Sequence, residues 1–314
     1  MSVAINPSEL SPGKNAINFK SQGFKVAAHL YLPEAFDGSG NYPGVVFGSP
    51  GLSIKEQSGG VYGPALAKRG YAVLVFDRLG FGQSEGPFPR CLNPGPTNEL
   101  HLDAISFLRA QPFVDRAKFF GLGICVGSID ITKLAFGDKR LKAIATISGI
   151  VGTCQQFYSQ PRENVVAALA AANEERQRQY ETGEMTYADS IGTPEAVADM
   201  PPESTVRQGV EYYKGIASEE VFPGYSTMSP GNFTGALPYF DVMSMAPKLY
   251  TPYLGIAGSL ADTREDTEEF YKAASDPKEL YIVEGATHVD LYHKPNFVEE
   301  AADQLDTFYR KHGG

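Results

Sequence analysis

Two glycines flanking a cysteine, Gly123 and Gly127 around Cys125 in Gly-Ile-Cys-Val-Gly, constrain this chain more than any other five residues. A turn that passes abruptly from strand to helix holds its central residue in strained φ/ψ. It also brings backbone so close that a Cβ two positions either way would collide. The flanks fit such a turn. Ala117-Lys118-Phe119-Phe120-Gly121-Leu122 is short and mostly apolar, as a buried strand requires, and Ile129 to Ala135 can continue as helix. One reading is a nucleophile presented at an elbow; the other is a buried, inert cysteine. The pentapeptide alone does not separate them.

Chain order supplies a test, because an elbow nucleophile of this kind needs an acid and then a histidine later in the sequence. Pro252 to Gly258 reads as a buried strand, and Ser259-Leu260-Ala261-Asp262 sets a carboxylate just past its end. Lys278 to Gly285 reads as another strand, with His288 in the loop beyond. The other histidines fall in an early strand (His29), a helix (His101), the C-terminal tail (His312) or just behind His288 (His293). Asp262 is preferred as the acid because Asp266 should lie within a helix and Asp290 is only two residues from His288. Its alternative role is a helix cap for Thr263-Arg264-Glu265-Asp266. Cys125, Asp262 and His288 thus form the expected nucleophile, orienter and base.

Further strands are expected near Asn18, at Lys25–Pro33, Tyr42–Gly48, Tyr71–Asp77 and Leu141–Ser148, with helices around Tyr62–Arg69 and Thr97–Gln111. Apolar strands alternating with helices predict a mostly parallel, doubly wound sheet of about eight strands, with reactive loops at the strands' carboxyl ends. Between Val151 and Pro247 the alternation breaks into a long helical stretch, Arg162 to Glu181, and Pro- and Gly-rich connections. The expected organisation is core (1–150), helical cap (151–247) and core again (248–314). Cap aromatics, among them Tyr212, Tyr213, Phe222 and Tyr225, either line an apolar substrate pocket or form the cap's own core.

A chain of 314 residues can bury a large core, and its formal net charge of −10 argues against a nucleic-acid surface. The stretch Met1 to Pro7 lacks a basic, then apolar, leader pattern, and no apolar run is long enough to span a bilayer. Three widely spaced cysteines, Cys91, Cys125 and Cys154, form no CxxC pair. The expectation is a soluble, cytoplasmic protein without nucleic-acid or membrane partner, metal or organic cofactor, acting on a small molecule. Its oligomeric state is left open, a homodimer being one option.

Several motifs together carry a family resemblance: Gly123–Gly127, Lys55-Glu56-Gln57, Phe76-Asp77-Arg78 with Gly80 to Gly86, Pro89-Arg90, Ala261-Asp262-Thr263-Arg264, and Gly285-Ala286-Thr287-His288-Val289-Asp290-Leu291-Tyr292. They resemble the dienelactone-hydrolase-related α/β-hydrolases, especially the YcjY-like branch, over nearly the whole chain except the cap. The resemblance implies an α/β-hydrolase fold and a hydrolase with a Cys-His-Asp triad. It does not imply that dienelactone is the substrate. The fold places one oxyanion-hole donor at the Val126 amide and another in Gly48-Ser49-Pro50-Gly51-Leu52, at Leu52 or Gly51. Glu56 either contacts the resting thiol, as a glutamate does in dienelactone hydrolase, or pairs with Lys55 to fix the loop. Arg90 either holds a substrate carboxylate or is an ordinary solvated arginine.

The chemistry expected from these residues starts from a thiolate favoured by the helix N-terminus and by His288. The sulfur attacks a carbonyl, a thioacyl-enzyme forms, and water activated by His288 releases the acid. Asp130 would raise the thiol's pKa if it faced the sulfur and otherwise complements the helix dipole. The expected activity is hydrolysis of an apolar or aromatic ester, thioester or lactone. An acyltransferase or cyclase with the same triad is the alternative, and a non-catalytic binding protein of this fold the third reading.

Overall fold

The computed structural model describes residues 4–313. Met1, Ser2 and Val3 of the stretch read for a leader, and Gly314, lie outside the described residues. The core is an eight-stranded sheet of β1 (Gly13–Ser21), β2 (Phe24–Leu32), β3 (Tyr42–Gly48), β4 (Ala72–Phe76), β5 (Val114–Ile124), β6 (Ala143–Ile147), β9 (Tyr253–Gly258) and β10 (Lys278–Val283). Their spatial order is β1-β2-β4-β3-β5-β6-β9-β10. The run from β4 to β10 is parallel throughout, whereas β2 is antiparallel to both of its neighbours. Every residue of β4, β6 and β9 is buried, which explains why these strands read as continuous apolar runs and not as alternating ones.

Helices cover both faces. On one, α1 (Ser58–Lys68) and α10 (Pro295–His312) bury Tyr62, Leu66, Leu305 and Tyr309 against Phe120 and Leu122. On the other, α2 (Pro94–Arg109), α3 (Val126–Gly137) and α8 (Arg264–Ala273) bury Leu100, Ile131 and Phe270 against Val46, Phe119 and Tyr253. Residues 295–312, which include the His312 that the sequence places in a tail, are helical. They form α10 because Val298, Ala301, Ala302, Leu305, Phe308 and Tyr309 recur at helical spacing and make one buried stripe.

The segment between β6 and β9 holds α4 (Thr153–Tyr158), α5 (Arg162–Thr182), α6 (Pro194–Val197) and α7 (Thr205–Glu211). It is not purely helical, because β7 (Tyr187–Asp189) and β8 (Met228–Pro230) pair antiparallel. A π-turn, Tyr212–Ile216, follows α7 directly. Hydrogen bonds tie this segment to loops at the carboxyl ends of the core strands. Thr205 N donates to Asp262 Oδ2 (2.9 Å), the hydroxyls of Tyr213 and Ser53 are 2.9 Å apart, Gln57 Nε2 donates to Ala217 O (2.7 Å), and Val289 N donates to Gln208 Oε1 (3.4 Å).

Candidate active site

Cys125 stands between β5 and α3 with φ 54° and ψ −117°, a positive-φ conformation that side chains rarely adopt. The flanking glycines are required by contact. A Cβ on Gly123 would lie 2.3 Å from Gly127 O, and one on Gly127 would lie 2.0 Å from Gly48 O. β3, β5 and the first turn of α3 therefore meet through bare backbone, and that meeting aims the cysteine out of the sheet's carboxyl edge. The thiol keeps part of its surface, whereas Cys91 and Cys154 are buried.

Two backbone amides, of Val126 and Gly51, lie near enough to the Cys125 sulfur to favour its charged form. Both were expected oxyanion donors. Of the two loop candidates it is Gly51 whose amide meets the sulfur, while the Leu52 carbonyl accepts from Arg90 Nη2 (3.2 Å).

His288 does not touch the sulfur directly. The Tyr292 hydroxyl lies 2.8 Å from His288 Nε2 and near enough to the Cys125 sulfur to pull the thiol's pKa down, so it stands between the two. On the other side of the ring, Nδ1 is 2.5 Å from Thr263 Oγ1. Asp262 reaches His288 through its field alone. Its carboxylate accepts from the amide and hydroxyl of Thr205, at the start of α7. Asp262 therefore caps α7 and not the helix at Arg264 that the sequence suggested, while its field still favours an imidazolium. Asp266 and Asp290 are engaged elsewhere, Asp266 with Gln156 and Asp290 with Lys294 and Thr287.

Sequence reasoning gave no role to Tyr292, Thr263 or Ser148. Tyr292 follows His288 by four residues, and the short helix α9 (Asp290–His293), which starts just after the histidine, turns Tyr292 back onto its ring. That spacing was the available signal. Ser148, at φ 47° just past β6, donates from Oγ to His288 O (2.9 Å) and so fixes the histidine loop to the sheet.

Burial decides the protonation state at rest. It pushes the Cys125 thiol up, against the opposing pull of Tyr292 and the two amides, and lowers His288 to about 4 against the raising field of Asp262. A neutral thiol facing a neutral imidazole differs from the thiolate expected from sequence, because neither charge is compensated by direct contact with a counter-ion. The helix N-terminus does not outweigh that desolvation. The two ring nitrogens are each met by a hydroxyl, Nε2 by Tyr292 and Nδ1 by Thr263; when Tyr292 donates to Nε2 the ring proton sits on Nδ1, directed at Thr263.

Elsewhere, Lys55 Nζ bonds Glu56 (2.7 Å), Asp77 (2.8 Å) and Gln83 (2.9 Å), so Lys55 and Glu56 form the loop-fixing pair. Glu56 also faces His29 at 3.8 Å. Asp130 is held by Arg78 at 2.7 Å, which answers its charge beside the elbow. Arg90 is buried. Of the intervening aromatics, Tyr212, Tyr213 and Tyr225 pack in sequence beside Tyr292, whereas Tyr158, Tyr180 and Tyr239 are exposed. Among the described residues no cluster suited to a metal ion occurs, and no helix is long and apolar enough to cross a membrane.

The family model described as X-Pro dipeptidyl-peptidase (S15 family) matches residues 22–216. The chain belongs to this S15 family of α/β-hydrolases. Within it, the chain is 30% identical to the uncharacterized protein YcjY of Escherichia coli K12 over 304 residues, covering 94% of this chain and 96% of YcjY. It is 25% identical to the thiohydrolase aneE of Aspergillus aculeatus over 281 residues, covering 86% of this chain and 84% of aneE. The solved structure of the α/β-hydrolase GrgF from Penicillium sp. sh18 superposes with a TM-score of 0.77 at 17% identity, covering 95% of this chain and 98% of GrgF. That likeness shows the α/β-hydrolase fold, and the YcjY match agrees with the YcjY-like branch named from the motifs, whereas the family model that matches is that of the S15 peptidases.

Proposed function

We propose that this S15-family α/β-hydrolase cleaves an ester, thioester or lactone through a thioacyl intermediate on Cys125. The observation that carries the reading is the convergence on one sulfur of two backbone amides and the Tyr292–His288 pair. The thiol proton passes to the Tyr292 oxygen as the Tyr292 proton passes to His288 Nε2, leaving a thiolate and an imidazolium. The sulfur adds to the carbonyl carbon, and the oxygen anion is held by the Val126 and Gly51 amides. Collapse expels the alcohol or thiol, which takes the proton back from His288 by the same route. Water then attacks the thioester, with His288 again as base, and the acid departs. Asp262 stabilises the transient imidazolium through space, and Thr263 holds the ring by Nδ1.

In this reading residues 151–247 act as a cap. The burial of His288 and Tyr292 beneath it favours acyl transfer or cyclisation as a second reading, since water is kept from the thioester. Intact-protein mass spectrometry tests both. The protein is incubated with activated esters, thioesters, lactones and an X-Pro dipeptide anilide, with and without an added amine or alcohol. A mass adduct that Cys125→Ala abolishes supports the thioacyl-enzyme, and amide or ester product in place of acid selects transfer. Turnover with undiminished rate in Cys125→Ala would refute the proposal.

A further inference from the structure

A cavity of about 400 Å³ lies between helix α5, the core loop 88–94 and residues 230–239. None of Cys125, His288 and Tyr292 lines it. Phe88, Leu92, Ala172 and Phe233 give it apolar surface, and its polar surface is one-sided in charge. The chain carries a net charge of −10, yet among the described residues none that lines this cavity is Asp or Glu, whereas Arg176 is one of its walls. That arginine is uncommitted. Two residues further along α5, Arg178 pairs with Glu175 (2.9 Å) and Glu184 (3.8 Å), but Arg176 makes no hydrogen bond or ion pair with any described residue.

The side-chain amides of the cavity add donors to that cation. Asn232 Nδ2 donates to Gln179 Oε1 (3.2 Å) and Gly95 N donates to Asn93 Oδ1 (3.1 Å), so Gln179 and Asn93 have spent acceptors and keep their NH2 groups. Asn173 also lines the cavity and bonds to no described residue. A molecule that satisfies these groups brings negative charge and oxygen acceptors at one end and an apolar body at the other. We propose that this cavity is a second ligand site, for a small molecule with an anionic, oxygen-bearing head on an aromatic or aliphatic body. Arg176 and the neighbouring amides hold the head, and Phe88 and Phe233 meet the body. Carboxylates and phosphates share that chemistry. The proposal does not rest on the thioacyl reading. Because the 151–247 segment and the core both wall the cavity, an occupant bridges them and stabilises the folded protein by mass action.

Calorimetric titration with 3-phenylpropanoate, phenyl phosphate and the neutral 3-phenylpropanamide tests the site, on the unaltered protein and on protein alkylated at Cys125. At least one anion should bind both forms about tenfold or more tightly than the amide does, as a charge-assisted contact gives, and should raise the thermal midpoint as its concentration rises. Which anion binds tells carboxylate from phosphate. Arg176→Gln should weaken that binding about tenfold or more, and Arg176→Lys should keep part of it. Arg162→Gln, which removes another exposed arginine of α5 outside the cavity, should leave it unchanged. Asn173→Trp, at an exposed helix position, should block the cavity while the ligand-free thermal midpoint holds. Absence of binding by either anion up to about 10 mM, equal binding of the amide, or binding that survives Arg176→Gln overturns the proposal. Binding that vanishes once Cys125 is alkylated places the ligand at the elbow and overturns it too.

Discussion

Thr263 Oγ1 stands 2.5 Å from His288 Nδ1, in the place where a carboxylate was expected, while the neighbouring Asp262 gives its oxygens to Thr205. The ring is therefore oriented by a neutral hydroxyl and stabilised by a charge one residue away. Thr263→Val should lower kcat by about 10- to 100-fold with KM little changed, because the Nδ1 proton loses its acceptor. Asp262→Asn should cost about tenfold, the worth of a through-space charge, and should move the acid limb of the pH profile lower. Steady-state kinetics on both variants checks the order.

If Tyr292 relays the proton, Tyr292→Phe should slow acylation of Cys125 by about 100-fold, within the range of general acid–base effects. Stopped-flow release of nitrophenol from an activated ester measures it. An unchanged or faster burst would mean that the hydroxyl merely blocks an imidazole that reaches the sulfur by itself.

With His288 lowered to about 4, kcat/KM should stay flat from neutrality and fall only as pH approaches 4, not near 6.5. Because burial raises the Cys125 thiol, its alkylation by iodoacetamide should be slow at pH 7 and climb through the alkaline range. Fast labelling at pH 7 would show a resting thiolate in place of the neutral pair.

The same depressed imidazole links stability to acidity. The native state keeps His288 neutral down to about 4, whereas the unfolded chain takes up a proton near 6.5. Its contribution is present above the unfolded value and lost as pH falls through 6.5 towards 4, on the order of 3 kcal/mol in all. His29, also lowered to about 4 by burial, adds in the same direction. Urea midpoints at pH 7, 5.5 and 4.5 should fall in that order.

Gly127→Ala tests the elbow's construction. Its Cβ would sit 2.0 Å from Gly48 O, and backbone on both sides leaves no room to yield. A loss of at least about 3 kcal/mol is expected, beyond ordinary overpacking, seen as a large drop in the urea midpoint.

The sheet was readable because β3, β4, β6 and β9 are buried on both faces and leave continuous apolar runs, and the elbow because two glycines answer to one collision each. The amphipathic stripe of α10 was present in the sequence, with Val298, Ala301, Ala302, Leu305, Phe308 and Tyr309 at helical spacing. Less legible were relations made across distance. Nothing local in Tyr292 says that its hydroxyl will fall between sulfur and imidazole, since that depends on how the loop after β10 turns into α9. Thr263 stands where Asp262 was expected for a similar reason, because α7, remote in sequence, arrives with an open N-terminus and captures the carboxylate. The direction of the thiol shift depended on burial, which spacing does not report.

Because Thr205, at the start of α7, occupies both oxygens of the carboxylate whose field favours a charged His288, the electrostatics of the imidazole depend on a helix remote from it in sequence. A substitution that loosens the start of α7 would therefore be felt at the histidine without touching it.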